Sequence, residues 1–329
     1  MLTVNFLSYY LKLRKVFSIN GSMVAAKTQA NLMQEYINVL INYTGNDYDI
    51  AHSHGCMPYT HFLVIKAKKN NKPIVLSAHQ THRDTDISLF SNQIAQMFKQ
   101  YFKLYYKLAD VIICPTESSK KIVQQELNLD IPIKLISNGV DTKKHQFSEE
   151  KRIYFRETYK LDKPVILSIG MPTKRKGFHN FVEISKKMKK YYFLWVGQRS
   201  IPILQRQINI NRDNLIMPGF IPDITTAYSG SDICCFPSYY EGEGLSILEA
   251  MSYGLPVIIR DLPAYDGRLI DNRNCLKATT NREFIERIIY LIDNPEESKR
   301  IGQNGLKTSQ KYDIRRTGEK LYKTYLELI

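Results

Sequence analysis

The chain has 329 residues, which is too long for one ordinary α/β domain and suits two domains of roughly 150 residues each. Hydrophobic residues make up 43% of it and charged residues 24%, a normal globular mix, and no apolar run approaches the roughly 18 residues that span a bilayer. The formal net charge of +14 indicates an anionic partner, and composition leaves open whether this is nucleic acid, anionic lipid or a phosphorylated substrate. The five cysteines lack metal spacing, which favours buried, reduced thiols in a cytosolic protein.

Strand-like and helix-like segments alternate through the first half of the chain. The predicted strands are residues 2–7, 48–52, 73–78, 111–115 and 133–136, and the predicted helices are residues 22–42, 59–69, 89–108 and 117–127. This alternation is typical of βαβ units, which build a parallel sheet covered by helices. The sequence therefore predicts an α/β fold with a doubly wound domain over residues 1–150.

A second series of strand-like runs follows a polar, charged stretch over residues 145–160. These runs are residues 164–169, 191–196, 214–217, 232–236 and 256–259. They predict a second doubly wound domain over residues 151–310, joined to the first near residues 140–160. The final segment, residues 311–329, has apolar or aromatic residues at helical spacing and is expected to be a helix that packs back toward the first domain.

Histidines follow two successive predicted strands of the first half. His52 and His54 come at the end of one strand, and His79 and His82 follow the next. Ligands of open α/β sheets bind beyond the carboxyl ends of the strands, so these side chains are well placed to meet one. No cysteine or carboxylate cluster completes a metal site beside either pair. A hydrogen bond to a ligand hydroxyl or phosphate and a purely structural role both remain open.

Two segments of the first half combine basic with apolar or aromatic residues. They are the loop of residues 9–22 and the helix of residues 96–108, where Lys99, Lys103 and Lys107 recur every fourth residue. Such a helix can lie in a membrane interface with its lysines on anionic headgroups. A connecting helix with aromatic residues in the core fits equally well, and the loop fits a ligand contact or a plain surface loop.

Three consecutive cations, Lys174, Arg175 and Lys176, follow the first strand of the second half. They lie in a turn between Gly170 and Gly177, where a lysine and an arginine would suit a diphosphate. As a charge run alone, the turn is better interpreted as a solvated surface, and its spacing is not that of a Walker A loop.

The stretch of residues 237–254 joins a buried strand to a helix through a glycine-rich turn. Such a helix N-terminus is suited to a phosphate. Glu241 precedes the helix and Glu249 lies two turns inside it.

The motifs occur in an order that resembles glycosyltransferase family 4. They are residues 137–141, the turn of residues 170–177, residues 219–221 and the run of residues 241–250, in which two glutamates are separated by seven residues. Each is weak alone, but together in this order they are specific, and the likeness runs from about residue 48 to residue 260. The resemblance implies the GT-B fold, two Rossmann-like doubly wound domains facing across a cleft, and hexosyltransferase activity.

The resemblance also implies roles for individual residues. Glu241 and His79 would act at the donor sugar as the catalytic pair, and Glu249 would hold the ribose hydroxyls. Lys176 would bind the diphosphate. The other donor-binding positions that it implies are Arg175, Gly244, Leu245, Ser246, Ile221 and Gly21.

This sequence departs from the family pattern at two of these positions. The family often has an arginine where Met171 stands, and Arg175 is expected to supply that charge. Of the usual glycine-rich first loop, only Gly21 with Ser22 remains. No metal or other cofactor is expected, since cations and a helix dipole would stabilise the departing diphosphate.

Within the family, the chain most resembles the glycolipid synthases of Gram-positive bacteria and mollicutes. The points of likeness are Arg175 beside Lys176, the short first domain and residues 259–264. This likeness implies retaining transfer from UDP-glucose or UDP-galactose to diacylglycerol or monoglycosyl-diacylglycerol. The enzyme would then be cytoplasmic and bound peripherally to the anionic inner face of the cell membrane.

Other functions fit the sequence less well. The alternative within the family is synthesis of a polysaccharide or wall polymer. A non-catalytic or nucleic-acid-binding basic protein is a more distant alternative. A nucleic-acid partner is not expected, because no recognition helix, RNP-type aromatic pair or Cys/His finger occurs.

Overall fold

The computed structural model describes residues 1–9, 21–79, 92–197 and 213–329, and it divides the chain into two compact units. The first unit is residues 1–139 together with 314–329, and the second is residues 140–313. In the described part of the chain, each unit has a six-stranded sheet whose strands pair in parallel. The predicted alternation of strands and helices is thus present in both halves.

The first unit has the strand order β2-β1-β3-β4-β5-β6. Its strands are β1 (Thr3–Leu7), β2 (Asn38–Ile41), β3 (Ile50–Ser53), β4 (Ile74–Ser77), β5 (Val111–Cys114) and β6 (Ile133–Leu135). Its helices include α1 (Gly21–Met33), α2 (Pro58–Lys69), α3 (Asn92–Tyr106) and α4 (Glu117–Lys121), the last continued by a π-helical turn, Ile122–Glu126. The structure adds β2 where the sequence predicts the end of a long helix, because the β-prone run after Asn38 pairs with β1.

The second unit has the strand order β12-β11-β10-β7-β8-β9. Its strands are β7 (Val165–Ile169), β8 (Tyr192–Val196), β9 (Leu215–Gly219), β10 (Ile233–Phe236), β11 (Val257–Arg260) and β12 (Leu276–Ala278). Its helices include α5 (Glu149–Thr158), α6 (Phe178–Lys187), α7 (Ile224–Gly230), α8 (Leu245–Ser252), α9 (Asn281–Asp293) and α10 (Pro295–Lys311), with a 3-10 turn at Pro263–Tyr265. Its central strands are buried on both faces, which is why they appear in the sequence as apolar runs.

The polar stretch between the predicted domains is a helix of the second unit. On α5, Arg152 and Arg156 both form ion pairs with Asp232, with N–O distances of 2.6 Å and 3.1 Å. Phe155, between them, is 1% exposed. The predicted boundary at residue 150 falls inside this helix, so the second unit begins earlier, at Val140.

The last helix, α11 (Ile314–Leu326), belongs to the first unit. Leu321 and Tyr325 are fully buried in the same cluster as Val4 and Phe6 of β1. The Tyr325 hydroxyl lies 2.6 Å from Nδ1 of His52. Helix α11 therefore covers one face of the first sheet.

We expect Tyr325→Phe to lower the free energy of unfolding of the first unit by about 1–3 kcal/mol, because it leaves Nδ1 of buried His52 without a partner. Urea unfolding followed by far-UV circular dichroism measures the change. The fluorescence of Trp195, the single tryptophan, reports the second unit separately. The matched control is Tyr322→Phe on the same helix, expected to change stability by less than about 0.5 kcal/mol. Equal stability of the two variants would contradict the prediction.

Candidate active site

The turn after β7 is folded against the stretch that follows β10. Gly177, which precedes α6, has a φ of 71°, and a Cβ placed on it would lie 2.1 Å from the carbonyl oxygen of Pro237. Both the left-handed backbone and this close approach require glycine. The Tyr239 amide also donates a 2.7 Å hydrogen bond to the carbonyl oxygen of Arg175. The cationic turn and the glutamate-bearing turn thus form one site at the carboxyl ends of β7 and β10.

We expect Gly177→Ala to destabilise the second unit by about 2–4 kcal/mol, since it combines left-handed strain with a clash against backbone. Gly254→Ala is the matched control: its φ is 68°, but an added Cβ would meet nothing within 4 Å. It should therefore cost only about 1–2 kcal/mol. Thermal unfolding followed by Trp195 fluorescence compares the two. If the Gly177→Ala and Gly254→Ala variants are equally stable, the close approach of Gly177 to Pro237 does not constrain the turn.

The Glu241 carboxylate is the centre of this site and is 7% exposed. Its Oε1 accepts hydrogen bonds from Nζ of Lys176 at 2.6 Å and from Oγ of Ser238 at 2.7 Å, while Oε2 lies 3.8 Å from Nη1 of Arg175. Burial alone would raise the pKa of Glu241, but the charges of Lys176 and Arg175, with the hydrogen bonds, hold that pKa below its ordinary value. Glu241 is therefore a carboxylate at neutral pH.

Helix α8 begins beside this carboxylate. Gly244, the residue before it, has a φ of 83°, so the chain turns sharply into the helix. The amides of Leu245 and Ser246 are the first of the helix and have no partner within it by geometry. With the helix dipole, they give a partly positive end next to Lys176 and Arg175, which is suited to a phosphate.

Glu249 lies in the middle of α8, and a cluster of side chains that the sequence did not suggest holds its carboxylate. The Tyr228 hydroxyl donates a 2.7 Å hydrogen bond to its Oε2, and Nε2 of His145 lies 3.9 Å from its Oε1. Tyr253 stacks on Tyr228, with ring centroids 4.9 Å apart. The Glu249 side chain is 18% exposed. The cluster therefore fixes its orientation and leaves part of the carboxylate accessible to a ligand. His145 lies in the stretch predicted as a linker, which hid its role.

Glu243 occupies the same turn, between two glycines. Nothing in the sequence assigns it a role, and it is therefore expected to be replaceable. The structure gives Glu243 buried contacts that a replacement would remove. Glu243 is 5% exposed, and its carboxylate lies 3.5 Å from Nη1 of Arg268, while Nη2 of the same arginine donates to the Glu243 carbonyl at 2.7 Å. Glu243 therefore stabilises the turn through Arg268, a residue 25 positions later.

One predicted donor residue of the second unit, Ile221, remains. Ile221 follows β9 and packs, partly buried, against the core cluster. Gly219, two residues earlier, has a φ of 83°. The predicted role of Ile221 is a backbone contact.

His79 and Gly21 belong to the first unit. Gly21 is the first residue of α1. His79 follows β4 and is half-buried, with its Nε2 3.0 Å from Nδ1 of His54. His52 has both ring nitrogens engaged, by Tyr325 and Ser77 at 2.6 Å and 2.8 Å, which is a structural role. His82 lies outside the described residues, as does most of the loop of residues 9–22.

The aromatic residues of α3 pack inward. Phe102, Tyr105 and Tyr106 are at most 3% exposed and belong to the core of the first unit. They therefore cannot face an acyl boundary, as one interpretation of this helix requires. Among the described side chains of α3, the exposed large apolar ones are instead Met97 and Leu104, at 71% and 61% exposure.

Within residues 1–9, 21–79, 92–197 and 213–329, no group of three or more His, Cys, Asp or Glu side chains is arranged to hold a metal ion. In the same residues, none of the helices combines the length and apolarity that crossing a bilayer requires.

Two family models match the chain in succession. The model described as Glycosyltransferase Family 4 matches residues 26–144, and that described as Glycosyl transferases group 1 matches residues 149–308. The processive diacylglycerol alpha-glucosyltransferase of Acholeplasma laidlawii is 31% identical over 294 residues, covering 86% of each chain. The alpha-monoglucosyldiacylglycerol synthase of the same organism is 23% identical, covering 85% of this chain and 76% of its own.

Solved structures share the fold over the full chain. Sucrose-phosphate synthase of Thermosynechococcus elongatus superposes with a TM-score of 0.84 at 16% identity, covering 100% of this chain and 99% of its own. Anabaena HepE in complex with UDP-glucose gives 0.83 at 17% identity, with 100% coverage of both chains. The predicted fold class, two doubly wound parallel-sheet domains of the GT-B type, is confirmed.

Proposed function

The chain belongs to glycosyltransferase family 4, and we propose that it transfers a hexose from UDP-glucose or UDP-galactose to diacylglycerol or monoglycosyl-diacylglycerol, with retention at the anomeric carbon. The use of a UDP-sugar donor is supported by the buried Glu241 carboxylate, which lies with Lys176 and Arg175 beside the first amides of α8. The acceptor half is supported by the diacylglycerol glucosyltransferase that is 31% identical to this chain.

The cations of the β7–α6 turn act on the leaving group. Lys176 has three N–H donors, and its contact with Glu241 leaves others for a diphosphate oxygen. Arg175 and the amides of Leu245 and Ser246 add positive charge at the same place. As the bond from the anomeric carbon to the phosphate oxygen breaks, its electron pair stays with UDP, where these groups stabilise the growing charge.

The Glu241 carboxylate acts on the sugar. It accepts hydrogen bonds from sugar hydroxyls and, being negative, favours the oxocarbenium-like charge at the anomeric carbon. The acceptor hydroxyl attacks the face that the diphosphate leaves, and its proton passes to the departing phosphate oxygen. Atoms and charge balance, with UDP and the glycoside as products and no glycosyl-enzyme intermediate.

Glu249 and the loop at Ile221 bind the nucleoside. The Glu249 carboxylate accepts the two ribose hydroxyls while Tyr228 and His145 hold it in place. The backbone at Ile221 contacts the base. No step of this scheme uses a metal ion.

The first unit is proposed to meet the membrane through α2 and α3. These helices are neighbours, since the His61 ring of α2 lies 5.2 Å from the Tyr105 ring of α3, centroid to centroid. The exposed large apolar residues among their described side chains are Phe62, Ile65, Met97 and Leu104. Lys103 and Lys107 on or just after α3 would add attraction to anionic headgroups of the inner leaflet.

The test is a transfer assay with radiolabelled UDP-glucose or UDP-galactose. Vesicles carrying diacylglycerol or monoglucosyl-diacylglycerol are compared with soluble sugars, in the presence of magnesium or EDTA. A labelled glycolipid with an α-linkage, formed equally with EDTA, supports the proposal. Label only in a soluble saccharide or polymer would favour the alternative within the family, and the absence of any transfer would contradict both.

The membrane half is tested by vesicle flotation. We expect Met97→Ser with Leu104→Ser to reduce co-flotation with anionic vesicles. The control is Ile289→Ser on α9, an exposed apolar residue of the second unit at 40% exposure. If the double variant and the control float like the wild type, α3 does not contact the membrane.

A further inference from the structure

The Glu249 carboxylate of the second unit meets a different side chain at each of its oxygens. Oε2 accepts the 2.7 Å hydrogen bond from the Tyr228 hydroxyl, and Oε1 faces Nε2 of His145 at 3.9 Å. Burial and the charge of Glu249 raise the pKa of Tyr228 well above its ordinary value, so this hydroxyl keeps its proton. A carboxylate oxygen has two lone-pair sites, so each oxygen keeps at least one for a ligand.

The His145 ring is fixed by its surroundings, all of which belong to the same unit. The residue is 6% exposed, and its backbone amide donates a 2.9 Å hydrogen bond to the Asp141 carbonyl. Its ring meets the stacked rings of Tyr228 and Tyr253 edge-on, with centroids 6.1 Å and 5.9 Å away. Its Nδ1 lies 3.3 Å from the Tyr253 hydroxyl oxygen. The ring therefore has a hydroxyl at one nitrogen and a carboxylate at the other.

These two partners decide which ring nitrogen carries the proton. Burial lowers the pKa of His145 and outweighs the opposing charge of Glu249, so the ring is uncharged at neutral pH and has one N–H. A proton on Nδ1 would turn the lone pair of Nε2 toward the carboxylate, and two negative ends would face each other. A proton on Nε2 gives the carboxylate a positive N–H end, and Nδ1 then accepts from the Tyr253 hydroxyl. Only the second arrangement makes both contacts favourable.

We infer that His145 is a positioning residue that makes the nucleoside site selective for ribose over deoxyribose. Its Nε2–H and the Tyr228 hydroxyl hold the two oxygens of Glu249 so that their remaining lone pairs meet both vicinal hydroxyls of a ribonucleotide. A 2′-deoxynucleotide supplies one hydroxyl and leaves one oxygen of this partly buried carboxylate without a partner. The inference rests on the proposed function, in which Glu249 accepts the ribose hydroxyls. It adds the residue that orients the carboxylate and the class of donor that the site rejects, the deoxyribonucleoside diphosphate sugars.

Calorimetric titration with UDP and with 2′-deoxy-UDP measures this selectivity without any transfer. We expect the wild type to bind UDP at least about 10-fold more tightly than 2′-deoxy-UDP. His145→Phe keeps a ring against the two tyrosines and removes the N–H, so it should lower this ratio to about 3-fold or less by weakening UDP, with 2′-deoxy-UDP nearly unchanged. His145→Gln places an N–H donor at the same number of bonds from Cβ as Nε2 and should restore the ratio. An unchanged ratio in a folded His145→Phe variant would overturn the inference.

Long-range ¹H–¹⁵N correlation spectra of the ¹⁵N-histidine-labelled wild type test the tautomer even if a variant fails to fold. The His145 signals are assigned by their loss in His145→Phe or His145→Gln. We expect a protonated Nε2 and an unprotonated Nδ1 at neutral pH, and a proton on Nδ1 would overturn the inference. If the wild type separates the two nucleotides as expected but transfers no hexose, the proposed reaction fails and the inference stands. If it binds both equally, the ribose contact of Glu249 and the inference fail together, whatever the transfer activity.

Discussion

We expect Glu241→Gln to lower kcat for hexosyl transfer by about 100-fold to 1,000-fold. Glutamine keeps the shape and can still accept hydrogen bonds from Lys176 and Ser238, so the turn should stay folded. It lacks the negative charge that favours an oxocarbenium-like anomeric carbon. Removing that charge also frees Lys176 and Arg175 to attract the diphosphate, so UDP should bind as tightly as before or more tightly.

Transfer assays and calorimetric titration with UDP measure the two halves of this prediction. The matched control is Glu243→Gln, a buried glutamate of the same turn that pairs with Arg268 rather than with Lys176. It should lower the unfolding temperature and change kcat of the folded enzyme by less than about 3-fold. Normal turnover of Glu241→Gln at saturating UDP-sugar would contradict the role of Glu241.

Acidification below pH 6.5 should destabilise the first unit before the second. Burial lowers the pKa of His52 to about 3, with a further lowering from His79, and it lowers the pKa of His54 and His79 as well. Between the ordinary histidine pKa and these values, the unfolded chain binds more protons than the folded one, so stability falls as pH falls. At about pH 4.5, the lowered pKa of His52 alone reduces the free energy of unfolding by roughly 3 kcal/mol relative to neutral pH.

The second unit provides the comparison. It contains one buried histidine, His145, among its described residues, whose pKa burial lowers while Glu249 opposes the shift. The lowered pKa of Glu241 makes stability depend on pH only below the ordinary glutamate pKa. Above that value the ionised carboxylate stabilises the fold fully, and this stabilisation is lost as the pH falls through the folded pKa. Far-UV circular dichroism should therefore change at higher pH than Trp195 fluorescence. Coincident transitions, or a Trp195 change that comes first, would show that the histidine cluster does not set the acid limit.

The alternation of segments was enough to predict a parallel sheet in each half, because buried parallel strands are short apolar runs between amphipathic helices. It missed the edge strands β2 and β12. Motif order was enough to identify the family. Contacts between distant residues were not predictable: Lys176 and Glu241 are 65 positions apart, and only the fold shows that they pair. The burial of Glu243 depends in the same way on Arg268.

Helix α3 illustrates a different limit. Its repeat of lysines and aromatic residues has the same period whether the aromatic face meets a core or a bilayer. What decides is the sheet beneath it, which takes Phe102, Tyr105 and Tyr106. A periodic pattern indicates that a face is covered, and it does not indicate what covers it.

The order in which the chain is synthesised has a consequence for how it folds in the cell. Residues 140–313 form a contiguous unit and can fold as soon as they leave the ribosome. Val4 and Phe6, in contrast, share a buried cluster with Leu321 and Tyr325 of α11, which come more than 300 residues later in the chain. The cluster around the first strand therefore stays incomplete until α11 has been translated. The nascent first unit is thus an expected client of chaperones.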